Sequence, residues 1–149
     1  MSVKSKQEPS LKLEQKYIVL EPFTAERISE DYLNWFSDPE VCQFNSHGSK
    51  TYTREEAEAY VRQTTEDDGI EVFAIIWKDT GDHIGNISLG SISLKNLSAD
   101  INILIGNKDY WNRGDYDPMV MFVVIPAIIQ ILALGFMAGI MFINQVTFN

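Results

Sequence analysis

Residues Phe73–Leu89 read FAIIWKDTGDHIGNISL. With Val72 in front, the first half is a nearly continuous apolar run to Trp77, the pattern of a strand covered on both faces. Thr80-Gly81-Asp82 is a hairpin signal that joins it to a second run, His83–Leu89. Gly85 and Gly90 inside that second run point to a bulge or a close approach of backbones. Farther on, Asp100–Ile105 reads DINILI, with Ile101, Ile103 and Ile105 on one face of a further strand. Three strands in a meander therefore form the centre of the chain.

Upstream, Asp67-Asp68-Gly69 is a turn, and before it lie two helical stretches. Thr53 followed by Glu56 at the third helical position forms a capping box, which opens a helix running to about Thr65 with Ala57, Tyr60 and Val61 inward. Ala25–Phe36 places Ile28, Tyr32, Leu33, Trp35 and Phe36 near one helical face. Thr24 is its expected N-cap, although Arg27 stands where a capping box would want an acid. Ser37-Asp38-Pro39-Glu40 stops that helix. Tyr17–Phe23, a β-rich run interrupted by Pro22, is the first strand. A strand, two helices and three meandering strands, without an internal repeat, predict an α+β fold with a mostly antiparallel twisted sheet and flanking helices.

The chain has 149 residues, one domain's worth, with 45% hydrophobic and 22% charged side chains, ordinary for a soluble protein. The single Cys42 forms no intramolecular disulfide, so a reducing, cytoplasmic setting is expected. A net charge of -9 argues against nucleic acid, because nothing would neutralise a row of phosphates, and mildly favours an amine-bearing partner. Met1–Lys16 is polar without an apolar core and reads as a loose leader rather than a secretory signal. His47 and His83 have no ligand-spaced companions and read as surface or loop histidines. Cys42, with no activating neighbour, reads as a buried thiol.

Three strings, taken in order, resemble the GNAT family of N-acetyltransferases, in particular its ribosomal-protein-alanine acetyltransferase branch. LEPFTAERISEDYLNWFSDPEV, residues 20–41, resembles the family's opening strand and first helix. FAIIWKDTGDHIGNISL resembles its second and third strands, and SADINILIGNKDYWNRG, residues 98–114, its fourth strand and the start of a cofactor loop. The resemblance covers Tyr17–Gly114 well and the remainder more weakly. It implies acetyl-CoA as co-substrate, held in a V-shaped gap after the fourth strand. The pantetheine arm would pair with backbone groups of Ile103, Leu104 and Ile105 like an added strand. The pyrophosphate would rest on backbone N–H groups of a loop counted here as Trp111-Asn112-Arg113-Gly114-Asp115-Tyr116.

Arg113 and Gly114 fit the family's loop pattern. Tyr116 stands where Gly or Ala lets the phosphate approach, Asp115 and Asp117 place negative charge against an anion, and Pro118 removes one N–H. The alternative is a plain turn before a helix. The family's reaction is direct attack of an amine on the thioester, which needs a base and an acid. Asp100 matches an acidic position common on the fourth strand and is the candidate base; the alternative is a structural or solvated acid. The acceptor implied is a primary amine on a protein N-terminus, an amino sugar or a small metabolite.

Every ionisable acidic or basic side chain lies at or before Asp117, and none occurs from Pro118 to Asn149. Met119–Ile143 is long enough to cross a bilayer, and Gly135 and Gly139 form a GxxxG pair. Pro126 interrupts it, and no Lys/Arg cluster or aromatic belt flanks it. The competing division makes Pro118–Leu134 a helix and Gly139–Phe148 the family's fifth strand. The domain over 17–149 then lacks the family's last helix and strands. Its exposed apolar helix and strand edge invite homodimerisation, aggregation or membrane association. The two functional readings are an acetyltransferase, inactive if the cofactor loop fails, and a non-catalytic remnant or membrane-tethered interaction domain.

Overall fold

The hairpin at Thr80-Gly81-Asp82 lies at the centre of a six-stranded sheet in the computed structural model, which describes residues 12–14, 17–43, 51–67, 69–93, 95–96, 98–111 and 142–148. The strands are β1 (Leu13–Glu14), β2 (Ile18–Pro22), β3 (Glu71–Trp77), β4 (His83–Ser93), β5 (Ser98–Ile105) and β6 (Phe142–Phe148). They lie side by side in chain order. Every neighbouring pair is antiparallel except β5 and β6, which run parallel. Two helices, α1 (Glu30–Trp35) and α2 (Arg54–Glu66), are inserted between β2 and β3.

Period-2 alternation divides the core into two layers. Phe73 and Ile75 of β3 join Ile101, Ile103 and Ile105 of β5 on one face. Val72, Ala74 and Ile76, together with Leu104, meet Tyr32, Leu33, Trp35 and Ala57 of the helices on the other. The strand expected to be covered on both faces is so covered: Val72–Ile76 are all buried.

α2 begins at the capping box read from the sequence. Thr53 accepts from Glu56 N–H at 3.2 Å, and the Glu56 carboxylate accepts from Thr53 N–H at 3.0 Å. The single helix expected over Ala25–Phe36 is instead split. Ala25–Arg27 is one 3-10 turn, and Thr24 makes no side-chain cap. The α-helix starts after Ser29, whose hydroxyl accepts from Tyr32 N–H at 3.1 Å. A serine satisfying an orphan N–H competes with continuation of a helix through its own position. Arg27, out of place for a capping box, reaches back to β2 and pairs with Glu21.

β4 and β5 are longer than expected, and the bulge anticipated in β4 is real. The register shifts between Gly90 and Ser93, where Ser91 adopts φ 51°, and again opposite Gly85, between Ile75 and Ile76. Within the expected leader, Leu13 and Glu14 pair with Leu20 and Val19 of β2. At the other end, β6 places Phe142 and Ile143, the last residues of the bilayer reading, in the sheet opposite Ser98 and Ala99. That part of the uncharged segment is strand, not span; the helix expected over Pro118–Leu134 lies outside the described residues. Among the described residues, no helix is long and apolar enough to cross a membrane.

Candidate functional site

At the C-terminal end of β5, two glycines have neighbours that leave no room for a side chain. A Cβ on Gly85 would lie 2.2 Å from the Leu104 carbonyl oxygen, and one on Gly106 would lie 1.9 Å from Trp35 Cδ2. Only glycine fits at either position. Trp35 of α1 can therefore lie directly over the strand end.

The hydrogen-bond pattern shows which backbone groups are open there. Gly106 N–H donates to Ile84 C=O at 3.0 Å, flanking the Gly85–Ile105 pair. Ile105 thus belongs to a non-hydrogen-bonded pair, and its own N–H and C=O face away from β4. Leu104, one residue earlier and paired with Asn86, directs its groups into β4. Ile103 faces β6, opposite Phe148. Among the described residues, the β5–β6 pairing runs as far as that pair. Of the three residues expected to lend an edge to the pantetheine arm, Leu104 is committed to β4 and Ile103 to β6. The N–H and C=O of Ile105 face away from β4 and pair with no described residue of β6. Its carbonyl accepts a hydrogen bond from the Trp111 indole Nε1–H at 2.8 Å.

The segment from Asn107 to Trp111 is held from several sides. Asn107 Oδ1 caps the 3-10 turn Lys108–Tyr110 by accepting from Asp109 N–H at 3.0 Å. Lys108 Nζ bridges Asp38 (2.6 Å) and Glu40 (2.7 Å), tying the loop after α1 to the loop after β5. The Lys108 ammonium holds the Asp38 carboxyl below its usual range, and Asp38, then Glu40, raise Lys108 in return. Buried Tyr110 donates its hydroxyl to Asp82 at 2.7 Å, lies 3.1 Å from Thr80 Oγ1 and packs on Trp77. That hydroxyl, with Thr80, keeps the Asp82 carboxyl low. Apart from the Asn107 cap, these partners are 28 or more residues apart in the chain, so local pattern gave no sign of them.

Asp100, the candidate base, is half-buried on β5, paired with Gly90 of β4 and with Gln145 of β6. Both ladders are irregular next to it. It is on the same face as Leu104, the opposite face from Ile105, and five residues up the strand, roughly 17 Å at 3.3 Å per residue. Of the residues expected to form a cofactor loop only Trp111 is described; Asn112, Arg113, Gly114, Asp115 and Tyr116 lie outside the described residues, as does His47.

His83 is not a surface histidine. It lies within ring distance of Phe23 (5.9 Å), Tyr32 (5.9 Å, stacked) and Trp35 (5.0 Å), and its Nε2 donates to Asn86 Oδ1 at 2.6 Å. Burial pushes its pKa below the ordinary histidine value, with the Asn86 bond opposing. Cys42 is buried as expected, its thiol donating to Trp35 C=O at 3.2 Å. Among the described residues, no group of three or more His, Cys, Asp or Glu side chains could hold a metal ion.

The fold has known counterparts. The microcin C7 self-immunity acetyltransferase MccE, solved with acetyl-CoA and AMP, superposes with a TM-score of 0.65 at 14% identity, over 85% of this chain and 66% of that one. Spermidine N-acetyltransferase from Vibrio cholerae, solved with CoA and spermine, gives 0.60 at 15% identity, over 81% and 64%. The ribosomal-protein-S5-alanine acetyltransferase from Vibrio fischeri gives 0.57 at 13%, over 84% and 69%. At such identities the likeness is one of fold. The chain spans between 52% and 70% of the length of the acetyltransferase structures it resembles. A comparison with curated protein sequences finds no match. The family profile described as acetyltransferase (GNAT) domain matches residues 18–138, most of the chain, and by that match this protein belongs to the GNAT family.

Proposed function

We propose that this protein binds acetyl-CoA along the edge of β5 and transfers the acetyl group to a primary amine. The observation that carries the reading is the Ile105 backbone edge, whose N–H and C=O face away from β4, in a chain of the GNAT family. A strand edge of this kind accepts an extended amide-bearing arm as it would another strand. Bound acetyl-CoA supplies the thioester: its acetyl carbon bonds to the amine nitrogen as the carbon–sulfur bond breaks and CoA leaves as a thiol. The chain's part is to orient that arm on Ile105 and to take the amine proton, for which Asp100 is the candidate. The acceptor is a protein N-terminus, an amino sugar or a small polyamine-like metabolite. Support for the amine class comes from the fold counterparts, one of them solved with spermine.

Calorimetry with acetyl-CoA near millimolar concentration tests the first step, with measurable heat expected. No heat would leave a non-catalytic GNAT remnant as the reading. For the second step, Asp100→Asn should leave CoA affinity unchanged and lower turnover about a hundredfold or more. An unaltered rate would return Asp100 to a structural role.

A further inference from the structure

We infer that Trp111 is a built-in occupant of the cofactor's edge position, and that acetyl-CoA binds by displacing its indole from the Ile105 carbonyl. The inference rests on the proposed acetyl-CoA reading and adds how the same edge is controlled. The Ile105 C=O faces away from β4, and its hydrogen-bond donor is a side chain six residues on in the same chain. The 2.8 Å bond has the length of a good N–H···O interaction. The ring is only half-buried, packed at the margin of both core layers rather than inside either. The backbone leading to it is pinned by the Tyr110–Asp82 and Lys108–Asp38 contacts. A side-chain rotation at Trp111 therefore frees the carbonyl without unfolding the turn before it. An arm lying along this edge needs the same acceptor, so the two donors compete for one position.

Removing only the donor separates the effects. Trp111→Phe keeps an aromatic ring and deletes the N–H, so CoA should bind about three- to tenfold tighter, the worth of one net hydrogen bond. In the unaltered protein the three tryptophans give three indole N–H signals in a nitrogen-15 spectrum, and the one lost in Trp111→Phe belongs to Trp111. That signal should exchange slowly with solvent in the free protein, then shift and exchange faster as CoA is added. If CoA binds but the variant's affinity is unchanged and the indole stays protected, the displacement idea is overturned while the acetyl-CoA reading stands. Should neither protein bind CoA, that reading fails and the inference with it. If the variant folds poorly, the Trp111 signal is assigned in the unaltered protein through its bonded backbone amide, and the exchange measurement then decides the matter alone.

Discussion

At the scale of single residues, His83 shows most clearly what burial does to chemistry. An imidazole enclosed by Phe23, Tyr32 and Trp35, with one bond to Asn86, is held neutral because its cation would lose hydration that the rings do not replace. Its folded pKa lies below the unfolded value near 6.5. Between those two pH values the unfolded chain binds the extra proton, so stability falls as pH drops from about 6.5, and the loss ends below the folded pKa. The depressed carboxylates Glu21, Asp38 and Asp82 also lose stability on acidification, but in the lower range where carboxylates titrate. Thermal midpoints between pH 5 and 7 should therefore decline with acid in the parent and decline less in His83→Gln. Equal slopes would place the sensitivity elsewhere. The sequence showed this histidine as one of two without ligand-spaced companions. It could not show the enclosure, because the rings come from Phe23, just after β2, and from α1, roughly 50 to 60 residues away in the chain.

Among the elements, legibility followed how local the deciding interaction is. The capping box of α2 needs only Thr53 and Glu56, three residues apart, and forms as read. The expected helix over Ala25–Phe36 failed through an equally local contest, since Ser29 offers a cap inside the apolar period and Arg27 has a better partner in Glu21. Apolar periodicity registered the buried face of α1 and Ile28 just before it, but not the break. The bulges in β4 were signalled by Gly85 and Gly90. The edge position at Ile105 was only partly legible: the strand could be named, but which residue faces the edge depends on register with β4, set by the bulges. Thr53→Ala should cost about 1 kcal/mol, a lowering of the melting temperature by roughly 2–4 °C for a domain of this size. Thr53→Ser should restore most of it, since the hydroxyl rather than the methyl makes the cap. A melting temperature unmoved by Thr53→Ala would mean that α2 is held by packing alone.

For the molecule as a whole, the net charge of -9 acts on both proposed substrates with opposite sign. All of that charge lies at or before Asp117, ahead of the segment that contains β6. α2 alone carries Glu55, Glu56, Glu58 and Glu66 against Arg54 and Arg62, and Arg54 is already paired with Glu30. Such a field draws a protonated amine inward and repels the phosphates of CoA. Salt shortens its reach, from about 30 Å at 0.01 M to about 8 Å at 0.15 M. Raising sodium chloride across that range should therefore tighten CoA binding and weaken the KM for a dicationic amine, with a singly charged amine affected less. Calorimetry and initial rates across the salt series read the two trends separately. CoA affinity that falls with salt would show that local positive charge such as that of Lys108, just after β5, outweighs the field of the whole chain. Loss of Lys108 by substitution to Ala should then remove part of that fall, because its charge is exposed and only shared with Asp38 and Glu40.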